Sequence, residues 1–156
     1  MGRQTTSAYV TPVKSDGVLQ TASGTEFGRG SFTLVAGTTY YFPVRGADSP
    51  VMSIHAQWDA AIVLTTLTVE DCNMDESEVS NYADAAGDWF KKSTTTMFVN
   101  VEGAGVSNTS GVVDATGGAL GGAFWNISSN GARRTRVAVV VGATGGELRL
   151  GHWGKE

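Results

Sequence analysis

A single cysteine, Cys72, is all that this chain of 156 residues contains. No intrachain disulfide can form, so a small disulfide framework is excluded, and a reducing compartment or indifference to redox fits best. The only histidines are His55 and His152. Charge is scarce as well: Asp, Glu, Lys and Arg make up 17% of the residues, against about 25% in ordinary soluble domains. Such a surface must be finished with Thr, Ser, Asn and Gly, or be covered in an assembly. No Lys or Arg occurs between Gly46 and Phe90, while Glu70, Asp71, Asp75, Glu76, Glu78, Asp84 and Asp88 fall in that stretch. The net charge of -4 argues against a general nucleic-acid binder, which needs clustered cations to displace phosphate counterions. No apolar run approaches the roughly 20 residues that cross a bilayer. The opening MGRQTTSAYV lacks the apolar core of a signal peptide. Its Gly2 and Thr6 meet the loose myristoylation pattern, which is short enough to match by chance.

What the chain does have is alternation. Met52, Ile54, Ala56 and Trp58 lie on one side of a run whose other side is Ser53, His55 and Gln57. Tyr40, Phe42 and Val44 repeat the pattern, as do Val137, Val139 and Val141. A period of two means strands with one face on a core. Eight or more such strands joined by Gly-rich turns predict an all-β domain, a jelly-roll-like β-sandwich with at most one short helix. Residues 31–156 form that domain. Residues 1–30 read either as an extended N-terminal arm or as short strands around a turn at Ser15-Asp16-Gly17.

Local features refine this expectation. Pro43 cannot donate to a ladder, so its run is an edge strand or a strand end. In the run from Ala61 to Val69, Ile62 and Leu64 have one parity and Leu67 and Val69 the other, which means two buried faces or a bulge. Asp75 and Glu78 suit a capping box before Val79, Tyr82, Ala83 and Ala86, with Gly87 as a stop. The glycine-rich stretch 103–122 reads as a long loop. Arg133–Val141 and Glu147–Trp153 read as a hairpin.

No set of residues predicts catalysis. Asp71, Asn73, Asp75 and Glu76 superficially resemble a calcium loop, but the turn glycine and closing bidentate Glu are missing. A metal site would need His55 and His152 together with Glu70 or Asp59. No serine sits in a G-x-S-x-G context, and no glycine run ends in Gly-Lys-Ser/Thr. Trp58-Asp59 and Asp88-Trp89 weakly fit a sugar site, in which a ring stacks beside acids and amides, although Trp is mostly core in a domain of this size. The chain is therefore expected to be no enzyme and to need no cofactor or metal.

Three pieces of the segment from Met52 to Lys92 carry a resemblance: Gln57-Trp58-Asp59 ending a strand, Val69-Glu70-Asp71-Cys72-Asn73 ending the next, and Gly87-Asp88-Trp89 after an acidic insertion. The segment resembles the decoration (cement) proteins and minor virion structural proteins of tailed bacteriophages. That resemblance implies a small β-rich domain, a homotrimer, which seats on the major capsid protein at the capsid surface after assembly in the host cytoplasm. From the charge and the short apolar runs, no nucleic-acid or membrane partner is expected. Contact surfaces are expected at Arg133, Arg134 and Arg136, in the acidic stretch 70–88, and on the arm at Tyr9 and Val10. The alternative is a carbohydrate- or host-binding β-sandwich module.

Overall fold

The computed structural model describes residues 5–28, 30–44, 51–72, 89–91, 97–128 and 134–155. The helix expected within 75–87 and the residue Arg133 lie outside them. Among the described residues thirteen strands are seen: β1 (Thr5–Tyr9), β2 (Val13–Lys14), β3 (Ser31–Leu34), β4 (Thr39–Val44), β5 (Val51–Trp58), β6 (Leu64–Cys72), β7 (Phe90–Lys91), β8 (Met97–Glu102), β9 (Val106–Thr109), β10 (Val112–Ala115), β11 (Gly121–Ser128), β12 (Arg134–Val141) and β13 (Gly146–Lys155). They form two antiparallel sheets, a β-sandwich. Sheet A runs β1-β13-β5-β11-β8, with β3 also on β13. Sheet B runs β2-β4-β12-β6-β10-β9, with β7 also on β6.

Parity decides which residues meet between the sheets. Met52, Ile54, Ala56 and Trp58 of β5 face Phe42, Val69, Val137 and Val139 of sheet B in one continuous core. Phe32, Leu34, Trp125, Ile127, Leu148 and Leu150 complete it from sheet A. Tyr40 is buried there too, and its hydroxyl accepts a hydrogen bond from the Val35 N–H at 3.0 Å. A buried phenol needs such a partner.

Chain order and sheet order interleave. β3 to β6 alternate between sheets A and B, and β10 to β13 alternate between B and A. β13 inserts between β3 and β5, and β12 between β4 and β6. The expected hairpin of β12 with β13 is therefore not formed: the two strands lie in different sheets. Their linker bonds instead to other loops, with Gly142 N–H on the Val63 carbonyl and Val63 N–H on the Thr144 carbonyl. Both strands have a strongly apolar inward parity, and each finds its best cover against a different neighbour.

The remaining local expectations resolve as follows. The parity change in β6 is a bulge: Val140 pairs with Thr66 but Val141 with Leu64, so Leu64 and Leu67 both point inward. Pro43 falls where β2 has ended. The Thr39 carbonyl accepts from Ser15 on the β2 side, so residues 39, 41 and 43 turn their backbone groups that way, and the missing N–H of Pro43 meets an open edge. The stretch 103–122 is not one long loop. It contains the β9–β10 hairpin, closed by Ser110-Gly111 with Val112 opposite Thr109. Both turn residues have positive φ, 51° and 83°, as a type I′ turn requires.

Residues 5–28 are folded back on the domain. β1 pairs along β13 from Thr5↔Lys155 to Tyr9↔Gly151. The turn at Ser15-Asp16-Gly17 is present, with Lys14 N–H on the Val18 carbonyl and Val18 N–H on Asp16 Oδ1.

Candidate functional site: the outer face of sheet A

The outer faces of the two sheets differ in kind. On sheet B, Arg136 projects outward from β12, yet only 1% of it is exposed. Its Nε donates to Glu70 Oε2 at 2.7 Å. Its guanidinium lies between two rings, 3.9 Å from the Tyr41 centroid and 4.3 Å from that of Trp89. Arg134 is 4% exposed, and Thr135 donates through its hydroxyl to Asp71 at 2.9 Å. Among the expected contact residues, then, Arg134 and Arg136 are buried within the chain rather than on an open strip, and over Arg136 the cover is Glu70 of β6, Tyr41 of β4 and Trp89. Val10 is buried in the core, and Tyr9 is exposed.

Sheet A presents an open outer face. β13 supplies Glu147, Arg149, Gly151 and Trp153. β5 supplies Ser53, His55 and Gln57, opposite Trp153, Gly151 and Arg149 in turn. β11 adds Gly122 and Phe124, and β8 adds Glu102 and Asn100 opposite those two. Among the side chains described, Tyr9, Phe124 and Trp153 are exposed rings of this face.

Two charged groups organise one end of it. Arg149 donates from Nη1 to the Phe27 carbonyl at 2.8 Å and from Nη2 to Gln57 Oε1. It also lies 4.8 Å from the Tyr9 ring and 5.6 Å from the Phe27 ring. The Glu147 carboxylate accepts the N–H groups of Thr25, at 2.8 Å, and Glu26. These two side chains of β13 tie the segment around 25–28 to the sheet. His55 leans over Gly151, where an added Cβ would come 2.9 Å from the ring. Desolvation against the sheet, and then the positive charge of Arg149, lower the His55 pKa from its usual value of 6.5.

Beyond this end the face hollows out. A cleft of about 230 Å³ has Gly122 and Ala123 in its lining, with His55 and Gln57 from β5, Asn100 and Glu102 from β8, and Phe124. A second hollow of about 270 Å³ shares Gln57 and Glu102 with the first and adds Phe27, Leu120 and Gly121. Neither Asn100 nor Glu102 makes a side-chain hydrogen bond or ion pair among the described residues.

The residues singled out for metal or sugar chemistry are not brought together. His55 and His152 sit on adjacent strands but with opposite parity, so they face opposite sides of the sheet. Among the described residues no group of three His, Cys, Asp or Glu side chains is placed to hold a metal ion. Asn73, Asp75, Glu76 and Asp88 lie outside those residues. Trp58 is wholly buried, and Asp59 caps a turn by accepting from Ala61, Ile62 and Glu147. Trp89 stacks on Arg136. Alternation puts Gln57 opposite Met52, Ile54, Ala56 and Trp58, and Asn100 and Glu102 opposite Met97, Val99 and Val101, but gives no such signal for Phe124. What it lacks is the strand order that makes them neighbours. No protein-family model, curated protein or solved structure matches the chain.

Proposed function

We propose that the chain is a non-enzymatic building block of a virion, a decoration protein that seats on the assembled capsid of a tailed bacteriophage. The observation that supports this reading is the presence of large exposed apolar side chains at both sides of sheet B. Val18 and Leu19 follow β2 on one side, with Leu19 65% exposed, and Phe90 of β7 is 72% exposed on the other. Among the described residues β2 pairs only with β4 among the strands, and β7 only with β6. A protein that takes one ligand needs one such patch. A subunit flanked on two sides needs two, and joining unlike edges head to tail makes a ring when the rotation between subunits closes. The interleaved strand order supports a jelly-roll description, and a homotrimer is the expected ring. Binding the assembled shell and not its free parts would stabilise that shell by mass action.

Light scattering at micromolar concentration tests the ring. A mass near three times 16.3 kDa, reduced to that of the single chain in Phe90→Ser and Leu19→Ser, is the expected result. The second arm adds the purified protein to shells of the major capsid protein of its own virus. Co-sedimentation with shells but not with unassembled subunits supports decoration, and failure to co-sediment overturns it.

A further inference from the structure

We propose that the paired hollows on the outer face of sheet A bind an uncharged oligosaccharide chain. This goes beyond the shell reading and does not depend on it.

The argument starts from what the lining has left over. Asn100 and Glu102 have no partner among the described residues, and Gln57 has committed only its Oε1, to Arg149. His55 adds one donor and one acceptor as a neutral ring. The cleft thus offers mixed donors and acceptors without a dominant charge, which matches vicinal hydroxyls. Phe124 supplies an exposed ring face at the same place, on which the C–H face of a sugar ring can lie.

Charge excludes the main competitors. An anionic ligand would need a free cation, and among the described residues the arginine beside the hollows, Arg149, is already spent on Gln57, the Phe27 carbonyl and the Tyr9 ring. A metal ion would need several carboxylates, and Glu102 is the one acid in the lining of either hollow. Size then favours a chain of rings. Each hollow, at about 230 and 270 Å³, is smaller than the roughly 300–1,000 Å³ of drug-sized ligand sites. The two are joined through Gln57 and Glu102, so consecutive rings of one chain fit where one bulky ligand does not. Gly122 lines the first hollow, and a Cβ there would stand 3.1 Å from the Ala56 carbonyl and 3.7 Å from Glu102.

The test is titration calorimetry with neutral oligosaccharides of glucose, mannose and N-acetylglucosamine, with an oligomer of glucuronic acid as the charged control. At least one neutral chain is expected to bind. Phe124→Ala and Asn100→Ala are each expected to weaken it by roughly tenfold, the loss of one central contact. Both positions are exposed, so the fold survives, which circular dichroism checks. Amide shifts in labelled protein should map to β5, β8 and β11. The proposal is overturned if no neutral chain binds at millimolar concentration, if the acidic oligomer binds more tightly, or if neither variant changes the affinity.

Discussion

Arg136 shows how much one side chain can decide here. Its guanidinium is sealed between the rings of Tyr41 and Trp89 and bonded to Glu70, so it joins β12, β4, β6 and the residue before β7. Removing it strands a carboxylate in a covered layer. Arg136→Ala should destabilise the fold by about 3 kcal/mol, as for other broken buried pairs. Arg136→Lys keeps the charge but loses the planar stack, and should cost about 1–2 kcal/mol. Urea midpoints of the two variants check both values, and equal stability of Lys and Arg at 136 would remove the stacking argument. Ser110 is the opposite case, a residue out of place. It holds a left-handed φ of 51° in a turn that favours Asn-Gly. Ser110→Asn should raise stability by about 0.5–1 kcal/mol, read as a higher melting temperature. Neither residue's role was legible beforehand. Arg136 has outward parity on its strand, and parity cannot tell that another element covers that face.

At the scale of elements, β13 does two jobs. Its inward parity, Leu148 and Leu150, fills the core, and its outward parity, Glu147 and Arg149, holds down residues 25–28 and the Tyr9 ring. Arg149→Ala should loosen this attachment without unfolding the sandwich. Amide hydrogen exchange should speed up at Tyr9 and Val10 while Trp58 and Val139 keep their protection. Uniform acceleration would mean that Arg149 supports the whole sheet. The same strand shows the limits of sequence reading. The faces of β4, β5, β12 and β13 are legible from period two, because hydrophobic burial acts on each strand separately. That β12 and β13 pair with other strands and not with each other was not legible, because their partners come from the first half of the chain, far away in sequence. The site shares this limit: Gln57 and Asn100 lie on the polar sides of separate strands, Phe124 carries no such signal, and only the order β5-β11-β8 makes them one surface. Gly151 and His55 add a pH effect on this face. His55 has a lowered pKa in the folded state, so the unfolded chain takes up its proton first as pH falls. Stability should therefore drop on acidification through about 6.5 and go on dropping until the folded ring is protonated. His55→Gln should flatten that part of the profile, and denaturant midpoints measured from pH 7.5 to 5.5 would show it; unchanged slopes would mean that His55 titrates alike in both states.

For the whole molecule, the interleaving of early and late strands has a consequence for cooperativity. β5 is flanked by β13 and β11, and β6 by β12 with β10 and β7. Apart from β2, which pairs with β4 alone, no strand from the first half of the chain has its full set of neighbours until the second half arrives. Tyr40, Phe42, Ile54 and Trp58, all buried, would be open to water in a fragment that ends before β8. Loop closure over such separations is slow and is rewarded late, so folding should lie in the millisecond-to-second range of β-sandwiches. Cutting the chain between residues 92 and 96 turns this into a direct test. Each fragment alone should give the poorly dispersed amide spectrum of an unfolded chain. Mixed at equal concentration, they should recover the dispersed spectrum of the intact protein, because the second fragment supplies β11, β12 and β13 to strands that have no other cover. If the first fragment folded by itself, β3 to β6 would form a self-sufficient unit, and the insertion of β12 and β13 between them would be an addition to the core and not its completion.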